Sequence, residues 1–408
     1  MAPLVLEHVV VVGRSGSAVG VADSATEGRI TAQQLATRPL LRAAEVLESV
    51  PGMTVTQHSG DGKANQYFLR GFNLDHGSDF ATFIDGMPVN MVSHAHGQGY
   101  TDLNFLIPEL IGAVNYRKGP YGARDGDFTV AGTARIDLMD AVPAPFVDLT
   151  LGGKGYRRVL AAGSTALAGD LRLLTAVEAG ETNGPWEQPE ELRKLNGVIR
   201  LSSGVPSNGF SLTGMAYTAR WTATEQVPQR AIDSGEIGRF GTLAPFDGGI
   251  THRTSLSAQW ARSDDAGSLR ATGYVIGYDL NLFSTPAGLQ TGQHEQEDRR
   301  TVWGGTLLRS WELGPTWRDT AVTAGLQLRQ DDIRASACST PSPARGSTRC
   351  ARTASSSAPT APWPKSTRRG CRGCAARWAC DSTACTAMSR RWRAPSTWPM
   401  AALPPARS

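Results

Sequence analysis

Between residues 145 and 334 the chain repeats one pattern: apolar and polar residues alternate over short stretches, separated by polar loops. Val147, Leu149 and Leu151 alternate with Asp148 and Thr150. Phe210, Leu212 and Gly214 alternate with Ser211, Thr213 and Met215. Leu256, Ala258 and Trp260 alternate with Ser255, Ser257 and Gln259, and Val322, Ala324, Leu326 and Leu328 with Thr323, Gly325, Gln327 and Arg329. A period of two places one residue type on each face of a strand, so this region can only be sheet with two unlike faces. The runs have about the length of a membrane strand, ~9–11 residues. Polar loops such as 181–191 and 227–249 separate them, and Trp260, Tyr274, Tyr278, Trp311 and Trp317 are expected near strand ends as an interfacial girdle. A soluble β-sandwich alternates too. The long loops and the regular meander favour a membrane β-barrel, which no run of about 18 apolar residues contradicts.

Upstream the pattern is mixed. Residues 39–52, PLLRAAEVLESVPG, place Leu40, Ala43, Ala44 and Leu47 at helical spacing between Pro39 and Pro51-Gly52. Short strands are predicted at 53–57, 66–70, 80–84, 113–118 and 134–138. Asp85-Gly86 is expected to turn a tight hairpin between Thr82-Phe83-Ile84 and Met87-Pro88-Val89. Pro108 is expected to open a short helical turn within the apolar stretch 103–111. The sum is a small α+β unit over residues 30–140. Before it, Glu7-His8-Val9-Val10-Val11-Val12 is a detached β-branched run with a Gly/Ser/Ala linker behind it. It reads as an ordinary first strand or as a peptide offered to a partner's sheet edge.

At residue 335 the alphabet changes. All six cysteines lie beyond it, and residues 335–408 contain no Ile, Val, Phe, Tyr, Asn, Gln, Glu or His. The formal charge of +4 therefore divides into about −7 before the break and +11 after it. Cys371, Cys374, Cys380 and Cys385 can be read as a zinc module, or the basic tail as a nucleic-acid arm. So restricted an alphabet buries too little apolar surface to fold. The preferred reading is a low-complexity basic tail read out of frame, with no nucleic acid as partner. The opening residues 1–7 lack the basic and apolar regions of a secretory signal, so either the chain is not exported or its gene starts elsewhere.

The unit over 30–140 resembles the plug domain of TonB-dependent outer-membrane receptors. The residues that carry the likeness are Ala44–Val55, AEVLESVPGMTV; Phe68-Leu69-Arg70-Gly71-Phe72; Phe83–Val89, FIDGMPV; and Tyr116-Arg117-Lys118-Gly119-Pro120, in the family's order. The resemblance implies residues 1–29 as TonB-box segment and linker, 30–140 as plug, 141–334 as part of a β-barrel with about nine or ten strands, and 335–408 as tail. It makes Glu7, His8, Val9, Val10, Val11 and Val12 the TonB box, with His8 where the family often has a smaller residue. It implies that Arg70 and Lys118 latch the plug to barrel carboxylates. It places Asp75, His76, His94, His96, Gln98 and Tyr100 on plug loops that face the ligand. The implied partners are a TonB-type periplasmic energy transducer, outer-membrane lipid of a Gram-negative cell and a small metal chelate such as a ferric siderophore.

His94, His96 and His76, with Asp75 or His58 nearby, are candidate metal ligands; the alternative is a solvated polar loop. No cofactor is expected. An enzyme is not expected either, because no phosphate loop, H-E-x-x-H, G-x-S-x-G or dinucleotide fingerprint occurs. A further alternative is a non-functional remnant, since a plugged barrel takes about 22 strands.

Overall fold

The computed structural model describes residues 21–285, 292–313 and 321–339. The stretch Glu7–Val12 and residues 340–408 lie outside them.

The first part is a layered plug. Its main sheet has six strands, β1 (Val21–Ser24), β2 (Glu27–Thr31), β6 (Phe80–Ile84), β7 (Met87–Pro88), β8 (Ile111–Lys118) and β9 (Gly132–Leu138), in the order β1-β2-β8-β9-β6-β7. A second sheet joins β3 (Met53–Thr56), β4 (Gln66–Leu69) and β5 (Phe72–Asn73). Val21–Ser24 and Glu27–Thr31 were expected as linker. They form strands because Glu27–Thr31 pairs along β8, from Glu27↔Arg117 to Thr31↔Ala113. The helical spacing at 39–52 folds as a 3₁₀ turn at Ala43–Ser49, which buries Ala43, Ala44, Val46 and Leu47. Pro39 lies ahead of it and Pro51-Gly52 ends it. The only α-helical turn of the plug is α1 (Ala32–Leu35), and Pro108–Leu110 is a single 3₁₀ turn. Asp85 and Gly86 both take positive φ, 48° and 77°, and join β6 to β7 as a two-residue hairpin.

Nine antiparallel strands follow in an unbroken meander: β10 (Phe146–Leu151), β11 (Arg157–Ala166), β12 (Arg172–Thr182), β13 (Leu192–Val205), β14 (Asn208–Thr222), β15 (Gly248–Asp264), β16 (Gly267–Ser284), β17 (His294–Glu312) and β18 (Ala321–Ser339). Among the described residues the sheet is not closed; β10 and β18 are its edges. β18 runs through Ser339, so the change of alphabet at 335 falls inside a strand. Backbone pairing from Ala335↔Arg299 to Ser339↔Glu295 carries it there whatever the side chains.

The two faces of this wall settle its environment. In β15, Ile250, Leu256, Ala258 and Trp260 are exposed, while Thr251, Arg253, Ser255 and Ser257 are buried. Leu149, Val177, Ile199, Leu212, Val275 and Leu326 are exposed on the same outer side. The apolar face points away from the plug and the polar face toward it. A soluble sandwich does the reverse, because its core lies between the sheets. Tyr274 and Tyr278 belong to the inner face, not the girdle: they share their side of β16 with buried Ile276, Leu280 and Leu282. Trp260 and Trp311 are exposed outside as expected, and Trp317 lies outside the described residues.

The strands give the wall two unlike ends. Two residues connect β13 to β14 and β15 to β16, whereas residues 183–191 and 223–247 make long loops at the other end. The longer one includes α2 (Gln229–Asp233).

Candidate functional site

The segment 91–104 is held from beneath by the plug and from the side by the wall. Met91 N–H donates to Tyr100 O (3.0 Å) and Gly99 N–H to Met91 O (2.8 Å), closing a loop. Asn90 anchors its base. Its Oδ1 accepts from Thr82 N–H at 2.8 Å, and its Nδ2 donates to the carbonyls of Gly77 and Phe80, both at 2.9 Å. Thr101 N–H donates to His76 O (2.8 Å), so the two histidine-bearing loops are laced together. From the wall, Asp298 accepts Ala95 N–H (3.2 Å) and Arg329 donates to Asn90 O (2.8 Å). Asp298 is in turn gripped by Arg300, both side chains being fully buried.

The pair His94 and His96 does not act as a unit. His94 Nδ1 accepts the His96 N–H (3.1 Å), so its proton is on Nε2, which donates to the wall hydroxyl Tyr278 Oη (3.2 Å). Its ring lies flat on Tyr100, centroids 4.0 Å apart and 4° from parallel. Both nitrogens are used, so His94 is a packing residue. Tyr100 is buried below the loop with its Oη accepting Ala64 N–H (3.0 Å); it is the floor of the site rather than a ligand-facing group. Gln98 is exposed.

His96 turns the other way. Its Nδ1 is 2.8 Å from Gln296 Oε1 on the wall, and its Nε2 is 3.0 Å from His76 Nε2. His76 Nδ1 donates to the Asn65 carbonyl (2.9 Å), which leaves its Nε2 a lone pair. His58 Nε2 stands 3.3 Å from that same atom, with Gln226 Nε2 of the long loop 3.3 Å from its Nδ1. Asp75, at a positive φ of 50°, brings Oδ1 to 3.8 Å from His76 Nε2. Burial is the main force holding His76, His94 and His96 well below the ordinary histidine pKa; the charge of a neighbouring ring, Arg300 and Lys63, respectively, is the next cause. His58, Gln226 and Gln296 all belong to the long-loop end. Sequence reasoning missed Gln226 and Gln296 and assigned Tyr278 to the girdle; for Gln296 and Tyr278 the inward-facing strand position was the available signal, whereas Gln226 lies in the long loop.

The plug–wall latch differs from the expectation. Among the described residues neither Arg70 nor Lys118 makes an ion pair. Arg70 is exposed at the β4–β5 turn with φ of 53°, and Lys118 Nζ lies 5.7 Å from the Tyr116 ring centroid. The polarity is reversed: the plug brings the carboxylates and the wall the arginines. Arg200 reaches Asp85, and Arg158 grips Glu109 through two bonds of 2.7 and 2.9 Å. A cavity of about 820 Å³ lies at the short-turn end beside Arg200. It is lined by ion-paired Arg117, Asp125 and Arg135, and is a gap between plug and wall remote from the histidines.

Residues 21–133 match the family model described as TonB-dependent Receptor Plug Domain. Residues 21–133 are thus a plug domain of the TonB-dependent receptor type. The chain's architecture, plug followed by antiparallel wall, is similar to that of several solved structures. The copper transporter OprC shares 17% identity at a TM-score of 0.58, over 77% of this chain and 46% of that one. The ferric citrate transporter FecA shares 14% at 0.59, over 75% and 48%. A ferric enterobactin receptor mutant (PfeA) from Pseudomonas aeruginosa shares 15% at 0.53, over 76% and 49%. At such identities the likeness concerns the fold. This chain spans about half the length of those structures.

Proposed function

We propose that this chain is the plug and part of the wall of a receptor for energy-coupled uptake of a metal-containing solute across the outer membrane of a Gram-negative cell. The observation that carries the reading is the wall, apolar outside and polar inside, with a folded plug hydrogen-bonded to its inner face. A plug so placed blocks passage until something moves it, so uptake has to be driven. Glu7–Val12 is the segment offered to a TonB-type periplasmic transducer by strand pairing. The long-loop end faces outward, and the loops bearing Asp75, His76 and His96 meet the solute first. The similar structures are named a copper transporter, a ferric citrate transporter and a ferric enterobactin receptor, which is consistent with a metal-bearing cargo. The work is binding and gating, and no residue is assigned a catalytic role.

The test is accumulation of ⁶⁴Cu²⁺ and of ⁵⁵Fe-citrate by cells carrying the full chain in their outer membrane. The reading predicts uptake of at least one label that stops when the proton gradient is collapsed and when residues 7–12 are removed. Uptake equal to that of cells lacking the chain, or indifferent to the gradient, would overturn it.

A further inference from the structure

We infer that the cavity at the short-turn end is a binding site for a small oxyanion of the phosphate class, held between Arg124 of the plug and Arg270 of the wall. Such an ion ties plug to wall at the end opposite the histidine loops. The inference goes beyond the uptake reading and does not depend on it.

The carrying observation is a surplus of arginine in an enclosed space. The cavity, about 820 Å³, lies between the plug sheet and six consecutive wall strands, β13 to β18. Its carboxylates are already engaged. Asp125 gives one oxygen to Arg117 (3.0 Å) and the other to Arg135 (2.9 Å), and Glu27 accepts from Arg117 (3.0 Å). Arg200 takes Asp85 and Asp140, and Asp137 accepts from Asn115 (2.7 Å). Arg124 and Arg270 line the same cavity, and among the described residues neither makes an ion pair. Partial burial, and then the charge of Arg135, lowers the Arg124 pKa; Asp125 opposes the fall, and Arg117 and Arg270 add to it. Four guanidinium groups thus share two carboxylates, Asp125 and Glu27. An anion relieves that repulsion, and the low-dielectric walls of a cleft strengthen its attraction.

The register sets Arg124 and Arg270 on two sides of one space. Thr272, Thr306 and Gln327 form a cross-strand row on β16, β17 and β18, and Thr272 faces inward onto the plug hairpin at Gly86. Gln327 donates to the Arg124 carbonyl at 2.6 Å, which fixes that residue over the row. Arg270 is two residues from Thr272 on the same face of β16, so it stands two strand spacings from Gln327, about 10 Å. An ion of phosphate size between the two side chains meets a planar donor fork from either side, the arrangement by which guanidinium groups hold phosphate. A further donor comes from the plug. Thr133 shares a face with Arg117, directly opposite it, and with Arg135, two residues on. Thr133 lines the cavity, and its buried hydroxyl has no partner among the described residues. Two cationic forks and a hydroxyl suit an oxyanion and repel a metal ion.

The experiment is equilibrium dialysis of the detergent-solubilised full chain against [³²P]phosphate in chloride buffer of fixed ionic strength. The same samples are titrated with urea, with plug release read by protease cleavage. One equivalent should bind, and saturating phosphate should raise the midpoint of plug release above its value in chloride alone, because an ion that binds only the seated plug stabilises it. Arg124→Gln and Arg270→Gln should each weaken binding at least tenfold and abolish the rise. Arg262→Gln, an exposed arginine on the outer face of β15 at the same end, should change neither. Glu27→Gln should tighten binding by releasing one side of Arg117, a gain that misfolding cannot imitate. Absence of binding, or binding that survives Arg124→Gln with Arg270→Gln, overturns the site. So does binding of several equivalents that Arg262→Gln weakens equally, which is general attraction of anions to a basic surface. Phosphate bound by both arginines with an unmoved midpoint would overturn the tie between plug and wall. Neither readout involves uptake, so failure here leaves the receptor reading standing, and failure of driven uptake leaves this site standing.

Discussion

Arg200 of the wall bonds Asp85 at the tip of the plug hairpin, and both side chains are buried. The same guanidinium donates to Asp140 at 2.9 Å and Thr213 at 2.7 Å, while Asp85 Oδ1 accepts Leu138 N–H at 3.0 Å. The hairpin tip is thus fixed to the wall by Arg200 and by Thr213 Oγ1, which donates to Asp85 Oδ2 at 3.3 Å. Burial nevertheless raises the Asp85 pKa, with Arg200 the chief influence opposing the rise.

Breaking this pair should loosen the plug. Arg200→Met leaves a buried carboxylate without its cation, at a cost of about 3–5 kcal/mol. Urea titration of the full chain in detergent, read by protease cleavage within residues 21–140, should show an earlier plug release. Adding Asp85→Asn should restore much of the loss. An unchanged cleavage midpoint in Arg200→Met would show that the pair does not hold the plug.

Asp102 should make stability depend on pH. Its carboxyl is pushed up to about 6 by burial, against the Asn104 N–H and Arg253. A folded-state pKa above the unfolded 3.8 means that the folded form binds the proton more tightly. Its contribution is present in full below about pH 4 and is lost as pH rises through about 6, roughly 3 kcal/mol in all. Asp102→Asn should flatten that part of the profile. The check is the difference in thermal midpoint between wild type and variant at pH 4.5 and pH 7.5: it should change between the two pH values, and a constant difference would contradict the assignment.

Gly99 governs how closely the histidine loops approach. Its φ is +74°, and a Cβ there would lie 2.6 Å from Ser78 Cα and 2.9 Å from Gly77 O. Gly99→Ala must push the 91–101 loop off the 76–78 loop, separating His96 from His76. We expect a loss of roughly 1–3 kcal/mol in stability, read as an earlier urea midpoint of the full chain in detergent. A midpoint equal to wild type would show that this close approach does not hold the two loops together.

Much of this was legible in the sequence because it depends on local rules. The alternation at 255–260 named the two faces of β15, and Asp85-Gly86 named its hairpin, since few residues other than Asp, Asn and Gly accept two successive positive φ values. The 3₁₀ turn at 43–49 was read as a longer helix, because periodicity fixes which residues are buried but not how tightly the turn winds. The latch was not legible. Whether Arg70 meets a carboxylate depends on the wall strand opposite it, and the pairs that formed join residues 115 apart (Asp85, Arg200) and 49 apart (Glu109, Arg158). The histidines were half legible. Their crowding into one unit was visible, but the parting of His94 from His96 is imposed by Tyr278 and Gln296, some 184 and 200 residues away.

The central claim is that the wall turns its apolar face to lipid and its polar face to the plug, and two tryptophans test it most directly. Trp260 is exposed on the outer face of β15, whereas Trp221 of β14 is buried against the plug loop at Gly60 and Gly62. Chains retaining one or the other as their single tryptophan, reconstituted in vesicles containing brominated phospholipid, should differ sharply in fluorescence. The account predicts strong quenching of Trp260 and little of Trp221. Equal quenching of the two, or quenching of Trp221 alone, would contradict it.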